Sequence, residues 1–324
     1  MIEINPLQAR VYSKLGQSGS IFGMALLDII KICPEILVLS SDMATTAGLD
    51  RFISANMDKF INVGIAEQNL VGVASGLANE GYRTIITAQA AFLSLRSIEQ
   101  IRQYLGYMKS NVKVVGICAG FALTFFGNTH YAIEDIAIMR SIPNITVLSP
   151  SDAGQAAKIF ETAVQMDVPV YIRLVGGLNC PIVYKDDYIL EIGKSITVKE
   201  GEDITIFATG IMVYNSLRAT EFLQEKGLSV RVVDVHTIKP LDIQKIKDCA
   251  SSKLLVSVEE HSIIGGLGGA ISETLADIGK QVPLLRLGVK DTFCKVGDYP
   301  YLLEQNRLQP EQIADDIAIK YQSL

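Results

Sequence analysis

Residues 61–85 read INVGIAEQNLVGVASGLANEGYRTI, and they give the strongest indication of the fold class. Residues 60–63 and 84–87 are short apolar runs, and residues 67–79 between them have the composition of a helix. Apolar side chains occupy nearly every face of that helix, so we expect it to be buried. A buried helix between two apolar strands is the repeating unit of a parallel sheet that helices cover on both faces.

The same alternation extends in both directions from this stretch and predicts a first domain at residues 1–185. Its predicted strands are 36–40, 60–63, 84–87, 112–118, 146–149 and 168–174. Its predicted helices are 20–32, 67–79, 92–108, 133–141 and 154–165. The pattern breaks at residues 176–191, where paired glycines, a proline and charged residues indicate a linker.

A second series of strands and helices begins after that linker and predicts a second domain at residues 186–324. Its predicted strands are 204–210, 230–235, 254–258 and 284–287. Its predicted helices are 213–226, 243–250, 266–278 and 310–321. We therefore expect an α/β protein of two doubly wound domains with mainly parallel sheets.

Composition restricts the class of function. The 324 residues include 29 Lys and Arg against 35 Asp and Glu, a net charge of −6 that argues against nucleic-acid or anionic-lipid binding. Hydrophobic residues make up 49% and mean hydropathy is +0.29, so we expect an oligomer interface to cover part of the surface. Five cysteines without metal-site spacing, and no secretory signal or membrane span, predict a cytoplasmic protein without disulfides or zinc.

Glu67 is the most informative polar residue in the decisive stretch. It begins the predicted helix just after strand 60–63 and Gly64, at the sheet edge where open α/β proteins bind ligands. The helix dipole favours a charged carboxylate there by about 0.3–1 kcal/mol, whereas burial favours the neutral acid. A carboxyl group in this place either exchanges protons with a ligand or caps the backbone of its own helix.

Several segments of the chain resemble the transketolase superfamily. The stretch 61–85 resembles the segment that binds the aminopyrimidine ring of thiamine diphosphate. The resemblance continues through FLSLRSIEQIR (92–102), GNTHYAIEDIAIMRSIPNITVLSPSDA (127–153), PVYIRL (169–174), TIKPLD (237–242) and VEEHSIIGGLGGAISE (258–273). The resemblance covers nearly the whole chain. It implies that the chain is the separately encoded carboxy-terminal section of a transketolase, with a pyrimidine-binding domain and a transketolase C-terminal domain.

The resemblance implies four contacts with the cofactor. Glu67 matches the glutamate that bonds the pyrimidine ring and exchanges a proton with it, which a carboxyl group can do and an amide cannot. Phe92 aligns with an aromatic residue that stacks on the pyrimidine, although a plain core position would suit it equally. Asp42 resembles an aspartate near the cofactor or else caps the next turn, and Gln89 stands where the first pyrimidine-contact aromatic is expected.

The resemblance also implies a substrate channel, with departures from the family pattern. His130 matches a channel histidine and is expected to shuttle a proton or bond the donor carbonyl, and Arg173 aligns with an arginine that holds a sugar phosphate. Cys118 stands where another channel histidine is expected, and Phe126 replaces an acidic ligand of the substrate hydroxyls. These replacements make the channel less polar and weaken the case for an ordinary pentose phosphate.

The chain lacks the G-D-G…N motif with which the family holds the diphosphate and Mg²⁺. The resemblance therefore implies that an N-terminal partner subunit holds that part of the cofactor and the metal, with two copies of each chain. The expected reaction is transfer of a two-carbon ketol unit from a ketose to an aldehyde. Two alternatives are the beta subunit of a 2-oxo acid dehydrogenase or related synthase, and a non-catalytic partner subunit.

Overall fold

A computed structural model describes residues 2–324, and its strands form two sheets. The strands are β1 Ile36–Ser40, β2 Phe60–Asn62, β3 Arg83–Gln89, β4 Val112–Ile117, β5 Thr146–Leu148, β6 Val170–Arg173, β7 Ile196–Lys199, β8 Ile204–Ala208, β9 Val230–Asp234, β10 Thr237–Lys239, β11 Leu254–Ser262 and β12 Leu284–Val289. The larger sheet has the order β10-β5-β6-β4-β3-β1-β2, and the smaller one has the order β12-β11-β8-β9-β7.

Helices separate most of these strands along the chain. They are α1 Pro6–Ser20, α2 Leu26–Ile32, α3 Ala44–Ala47, α4 Asp50–Ala55, α5 Glu67–Asn79, α6 Ile98–Gln100, α7 Asp135–Ser141, α8 Ala153–Gln165, α9 Met212–Glu225, α10 Ile243–Cys249, α11 Leu267–Asp277, α12 Tyr299–Gln305 and α13 Pro310–Gln322. Wider π-helical turns occur at Ile21–Ala25, Phe92–Arg96 and Ile101–Tyr107, and 3₁₀ turns occur at Met57–Lys59 and Thr124–Thr129.

Parallel pairing dominates both sheets, which confirms the predicted fold class. β1 pairs in parallel with β2 and β3, and β4 pairs in parallel with β3 and β6. In the second sheet β8 pairs in parallel with β9 and β11. Among the strands in residues 2–324, only two pairs are antiparallel, β10 with β5 and β7 with β9. Each of these pairs lies at one edge of its sheet. The carboxyl ends of the central strands consequently lie at one edge of each sheet.

Strand β10 belongs to the second half of the chain but is part of the first sheet. It follows the predicted domain boundary at residue 185, which lies between β6 and β7, yet it extends the first sheet by pairing with β5. Thr237 is paired with Leu148, and Lys239 with Val147. The two sheets are therefore tied together by backbone hydrogen bonds as well as by side-chain packing.

The chain begins with a helix that the apolar periodicity did not predict. Asn5 caps α1 by accepting hydrogen bonds from the backbone of Leu7 and Gln8, and Pro6 occupies the first helical position, a start signal visible in the sequence. The helical segment Pro6–Ile32, which is interrupted by a kink at Gly16, has the length and apolar composition of a membrane span. Phe22 within it is fully buried and packs edge-on against Phe160, which is the environment of a core helix.

Candidate functional site

Glu67 is buried where β2 meets α5, at the carboxyl edge of the first sheet. It is the first residue of α5 and is 3% exposed. The turn before it depends on Gly64, whose φ of +75° lies in the left-handed region that favours glycine. Asn62 holds this turn by accepting a hydrogen bond from the Gly64 amide at 3.0 Å. The local sequence thus directs one carboxyl group to the edge where α/β sheets bind ligands.

Arg96 links Glu67 to the ring of Phe92. Its Nη1 donates to Glu67 Oε2 at 2.8 Å, and its guanidinium carbon lies 4.1 Å from the centroid of the Phe92 ring. The Arg96 side chain is 46% exposed, so this ion pair has one buried and one solvated partner. The carboxyl of Glu67 therefore bonds another side chain instead of capping its own helix, the alternative that the sequence left open.

Phe92 also begins an array of rings that reaches two predicted substrate residues. The centroids of Phe92 and His130 are 5.3 Å apart in an edge-to-face arrangement, and those of His130 and Phe126 are 5.0 Å apart. His130 Nδ1 lies 2.9 Å from the hydroxyl of Thr129. The structure therefore brings Glu67, Phe92, His130 and Phe126 into one continuous group, with Arg96 between the first two.

Asp42 and Gln89 lie at the ends of adjacent strands beside this group. Asp42 follows β1 with a φ of +55°, and its Oδ1 accepts a hydrogen bond from Asn62 Nδ2 at 3.3 Å. Gln89 ends β3, where its Nε2 lies 4.0 Å from the sulfur of Met43. Its Oε1 is buried and has no hydrogen-bond partner within residues 2–324. A buried acceptor of this kind suits a ligand that carries a hydrogen-bond donor.

Cys118 lines a cavity at the carboxyl ends of β4 and β6. The cavity has a volume of about 390 Å³. Small, hydroxyl-bearing and apolar residues line it, including Ser18, Thr45, Leu174 and Gly177. None of the described residues that line it carries a charge. Burial raises the pKa of the Cys118 thiol to about 11, so the thiol is neutral and unreactive near neutral pH.

Arg173, the predicted ligand of a sugar phosphate, is buried where the two domains meet. Arg173 is 1% exposed, and its Nε lies 2.9 Å from Oδ2 of the buried Asp135. Its Nη2 donates to the backbone oxygens of Ala132 and Glu260. The guanidinium therefore joins the first sheet to β11 of the second domain, and its contact with a sugar phosphate stays a prediction.

Two consecutive glutamates of β11 are buried beside Arg173. Glu260 Oε1 accepts a hydrogen bond from the amide of Phe121 at 2.6 Å, and its Oε2 accepts one from the hydroxyl of Tyr299. Burial raises the pKa of Glu260 to about 7. The same cause raises the pKa of Glu259 to about 7. Glu260, which bonds Phe121 across the contact between the domains, is therefore a carboxyl group whose neutral form burial favours.

Sequence reasoning missed Arg96 and Asn62. Arg96 lies within the quoted segment 92–102, four residues after Phe92, and that spacing on a helical turn is a signal that could have identified it. Asn62 had only a local signal, its position two residues before Gly64, because its other partner Asp42 is brought to it by the pairing of β1 with β2. Across the part of the chain that the structure describes, no group of three His, Cys, Asp or Glu could hold a metal ion.

Known families and proteins resemble this chain over most of its length. Residues 17–178 match the family described as transketolase, pyrimidine binding domain, and residues 193–313 match transketolase, C-terminal domain. The chain is 36% identical over 272 residues to an apulose-4-phosphate transketolase subunit of Phocaeicola vulgatus, covering 83% of this chain and 86% of that protein. It is 37% identical over 289 residues to 6-deoxy-6-sulfo-D-fructose transketolase subunit SqwH of Clostridium sp. (strain MSTE9), covering 89% of each.

One solved structure is similar over nearly the full length of both chains. It is a split gene transketolase in the form of an inactive beta4 tetramer. The two structures superpose with a TM-score of 0.84 at 37% sequence identity, over 92% of this chain and 96% of that chain. Both domains of the present fold are therefore found together in a protein of similar length.

Proposed function

This chain belongs to the transketolase family, and we propose that it is the C-terminal subunit of a two-chain, thiamine diphosphate-dependent transketolase. It transfers a two-carbon ketol unit from a ketose to an aldehyde acceptor. The observation that carries the proposal is the group formed by Glu67, Phe92 and His130, which joins a buried carboxyl to an aromatic face and an imidazole. Similarity to subunits of split transketolases over more than four fifths of the chain supports the same assignment.

The residues at the edge of the first sheet fit the aminopyrimidine ring of thiamine diphosphate. Glu67 supplies a carboxyl at the ring edge, Phe92 supplies a face for stacking, and Gln89 Oε1 is a buried acceptor without a partner in the described chain. Asp42 lies at the neighbouring strand end. When bound, the cofactor supplies the carbon nucleophile that attacks the ketose carbonyl.

Each residue has a separate task in this proposal. Glu67 exchanges a proton between its carboxyl group and the pyrimidine ring, and its burial limits its contact with water. Phe92 fixes the plane of the ring. His130 faces the substrate side, where its imidazole donates to or accepts from a hydroxyl or carbonyl oxygen of the sugar. Cys118 lines the uncharged cavity, and the exposed ring of Phe126 lies against His130.

The partner subunit and the metal complete the assembly. The matched families cover a pyrimidine-binding and a C-terminal domain, so we assign the diphosphate and the Mg²⁺ ligands to an N-terminal partner subunit. Two copies of each chain form the active complex. The five cysteines are free thiols, which supports a reducing cytoplasmic location.

Reconstitution with the N-terminal subunit tests the proposal. We expect the purified pair, but neither chain alone, to transfer ketol units in a panel of ketose donors and aldehyde acceptors. Calorimetry should detect tight thiamine diphosphate binding only for the pair with Mg²⁺, because this chain offers few partners for the diphosphate charge. The assignment would be contradicted if this chain alone bound thiamine diphosphate tightly. It would also be contradicted if the pair turned over 2-oxo acids with a lipoyl acceptor and transferred no ketol unit.

A further inference from the structure

The loop before His130 is held by a loop of the second domain. Asn128 Nδ2 donates to the backbone oxygen of Cys294 at 2.7 Å, and the Cys294 amide donates to Asn128 Oδ1 at 3.0 Å. We call these two reciprocal hydrogen bonds the Asn128–Cys294 clasp. They use both ends of one side-chain amide and join residues that are 166 positions apart in the sequence.

The two loops approach each other too closely for an ordinary side chain at the contact. A Cβ placed on Gly127 would lie 2.9 Å from Cγ2 of Val296, and the φ of Gly127 is +73°. The far side of the clasp is anchored as well, since the Cys294 sulfur lies 3.6 Å from Asn306 Oδ1. Asn306 in turn donates to the oxygen of Leu302 at 2.8 Å, at the end of α12. The clasp thus connects a helix of the second domain to the 3₁₀ turn Thr124–Thr129.

The clasp lies between the two residues whose rings form the substrate side of the proposed site. Phe126 and His130 stand two positions before and after Asn128, and their ring centroids are 5.0 Å apart. The amide of His130 donates to the Gly127 oxygen at 2.9 Å, so the backbone that carries the imidazole is bonded within this turn. A displacement of Asn128 would therefore move the imidazole relative to Phe92.

We propose that Asn128 is a positioning residue through which the second domain fixes the imidazole of His130 for turnover. Asn128 acts on the reaction only through that ring and has no contact with substrate or cofactor in this role. The inference extends the proposed function, because it assigns the second domain a part in substrate handling. It predicts that loss of the clasp reorients His130 while the fold, the assembly and Glu67 remain intact.

The ring geometry can be measured without turnover. The chain has three histidines, so selective ¹³C labelling of histidine gives a simple NMR spectrum in which a His130→Gln variant identifies the His130 signals. Neighbouring aromatic rings at 5.3 Å and 5.0 Å make those signals sensitive to ring position. In the full chain we expect Asn128→Ala to shift them, and Asn128→Asp, which keeps only the acceptor, to shift them less.

A matched control separates the clasp from general destabilisation. Asn215 Nδ2 donates to the backbone oxygen of Leu308 at 2.9 Å, a comparable bond within the second domain. We expect Asn215→Ala to leave the His130 signals in place. In the reconstituted pair, Asn128→Ala should lower kcat/KM for the donor ketose about 10- to 100-fold, while thiamine diphosphate affinity is unchanged.

The two readouts keep this inference distinct from the proposed function. Unchanged His130 signals in Asn128→Ala, or equal shifts in Asn215→Ala, would overturn the positioning role whatever the activity. Shifted signals with unchanged donor kinetics in an active pair would also overturn it. If the wild-type pair transfers no ketol unit although Asn128→Ala shifts His130, the proposed function fails and the structural link between the domains is retained.

Discussion

The Arg96 guanidinium lies 2.8 Å from the Glu67 carboxylate and covers the face of Phe92 at 4.1 Å. The carboxyl and the ring that we assign to the pyrimidine are thus joined by one cation. Binding of the cofactor requires Arg96 to give up part of these contacts or to share them. The half-exposed position of Arg96 permits this movement, because its head group is already in contact with solvent.

Replacing Arg96 tests the energetic link to Glu67. We expect Arg96→Met to lower the free energy of unfolding by about 1 kcal/mol, since one partner of the pair is solvated and the other is buried. The same substitution in a Glu67→Gln background should cost less, because the buried charge is then absent. Urea unfolding of the four proteins in this double-mutant cycle measures the difference, and a coupling free energy of zero would show that the pair contributes nothing.

Glu67 is expected to be essential for turnover. In the reconstituted pair, Glu67→Gln should lower kcat by at least about 100-fold, because an amide can donate a hydrogen bond but cannot exchange the proton. Gel filtration should show the same assembly as for the wild type. Gln68→Ala is the control, since Gln68 is the exposed neighbour on the same helical turn. Turnover near the wild-type rate in Glu67→Gln would remove the catalytic assignment.

Cys118 and Phe126 are expected to determine which substrates the channel accepts. The double variant Cys118→His, Phe126→Asp should shift the ratio of kcat/KM values toward more polar and phosphorylated sugars, because it adds one hydrogen-bonding group to the uncharged cavity and another beside His130. Phe125→Asp is the matched control, since Phe125 is an exposed neighbour for which no ring contact with His130 is found. An unchanged preference across the sugar panel would count against the role of both residues.

Stability is expected to fall as pH rises from about 4.5 to about 7. Burial raises the pKa of Glu260 to about 7 in the folded protein, above its ordinary value of 4.5. The folded state therefore binds this proton more tightly than the unfolded state, and the stabilisation is complete below about pH 4.5 and lost as pH approaches 7. Glu260→Gln can retain hydrogen bonds to Phe121 and Tyr299 and should flatten the decrease in unfolding free energy between about pH 4.5 and 7.

An exposed glutamate serves as the control for this pH dependence. The pKa of Glu99 is lowered by hydrogen bonding to Arg102, so Glu99 remains ionised in both states throughout the same interval. We expect Glu99→Gln to leave the slope of stability against pH unchanged. Equal slopes for wild type and Glu260→Gln would show that Glu260 does not titrate in this range.

Elements with strong local patterns were predicted well. The helix Glu67–Asn79 has the predicted bounds, because its apolar composition and the glycine before it are local properties of the sequence. β1 likewise has the predicted bounds at Ile36–Ser40. The helix α1 was missed because its apolar periodicity is weak, although the Asn5-Pro6 start is present.

Local sequence patterns were enough to predict the alternation of strands and helices, the position of Glu67 at a strand end, and the resemblance to transketolases. Tertiary structure decided that Arg173 lies in the domain contact, where it bonds the oxygen of Glu260, 87 residues away. It also decided that Arg96 bridges Glu67 and Phe92, and that Asn128 bonds Cys294. The periodicity of apolar residues predicts which face of a helix or strand is buried. The partner of a polar side chain depends on how elements that are distant in sequence pack together, so local patterns do not predict it.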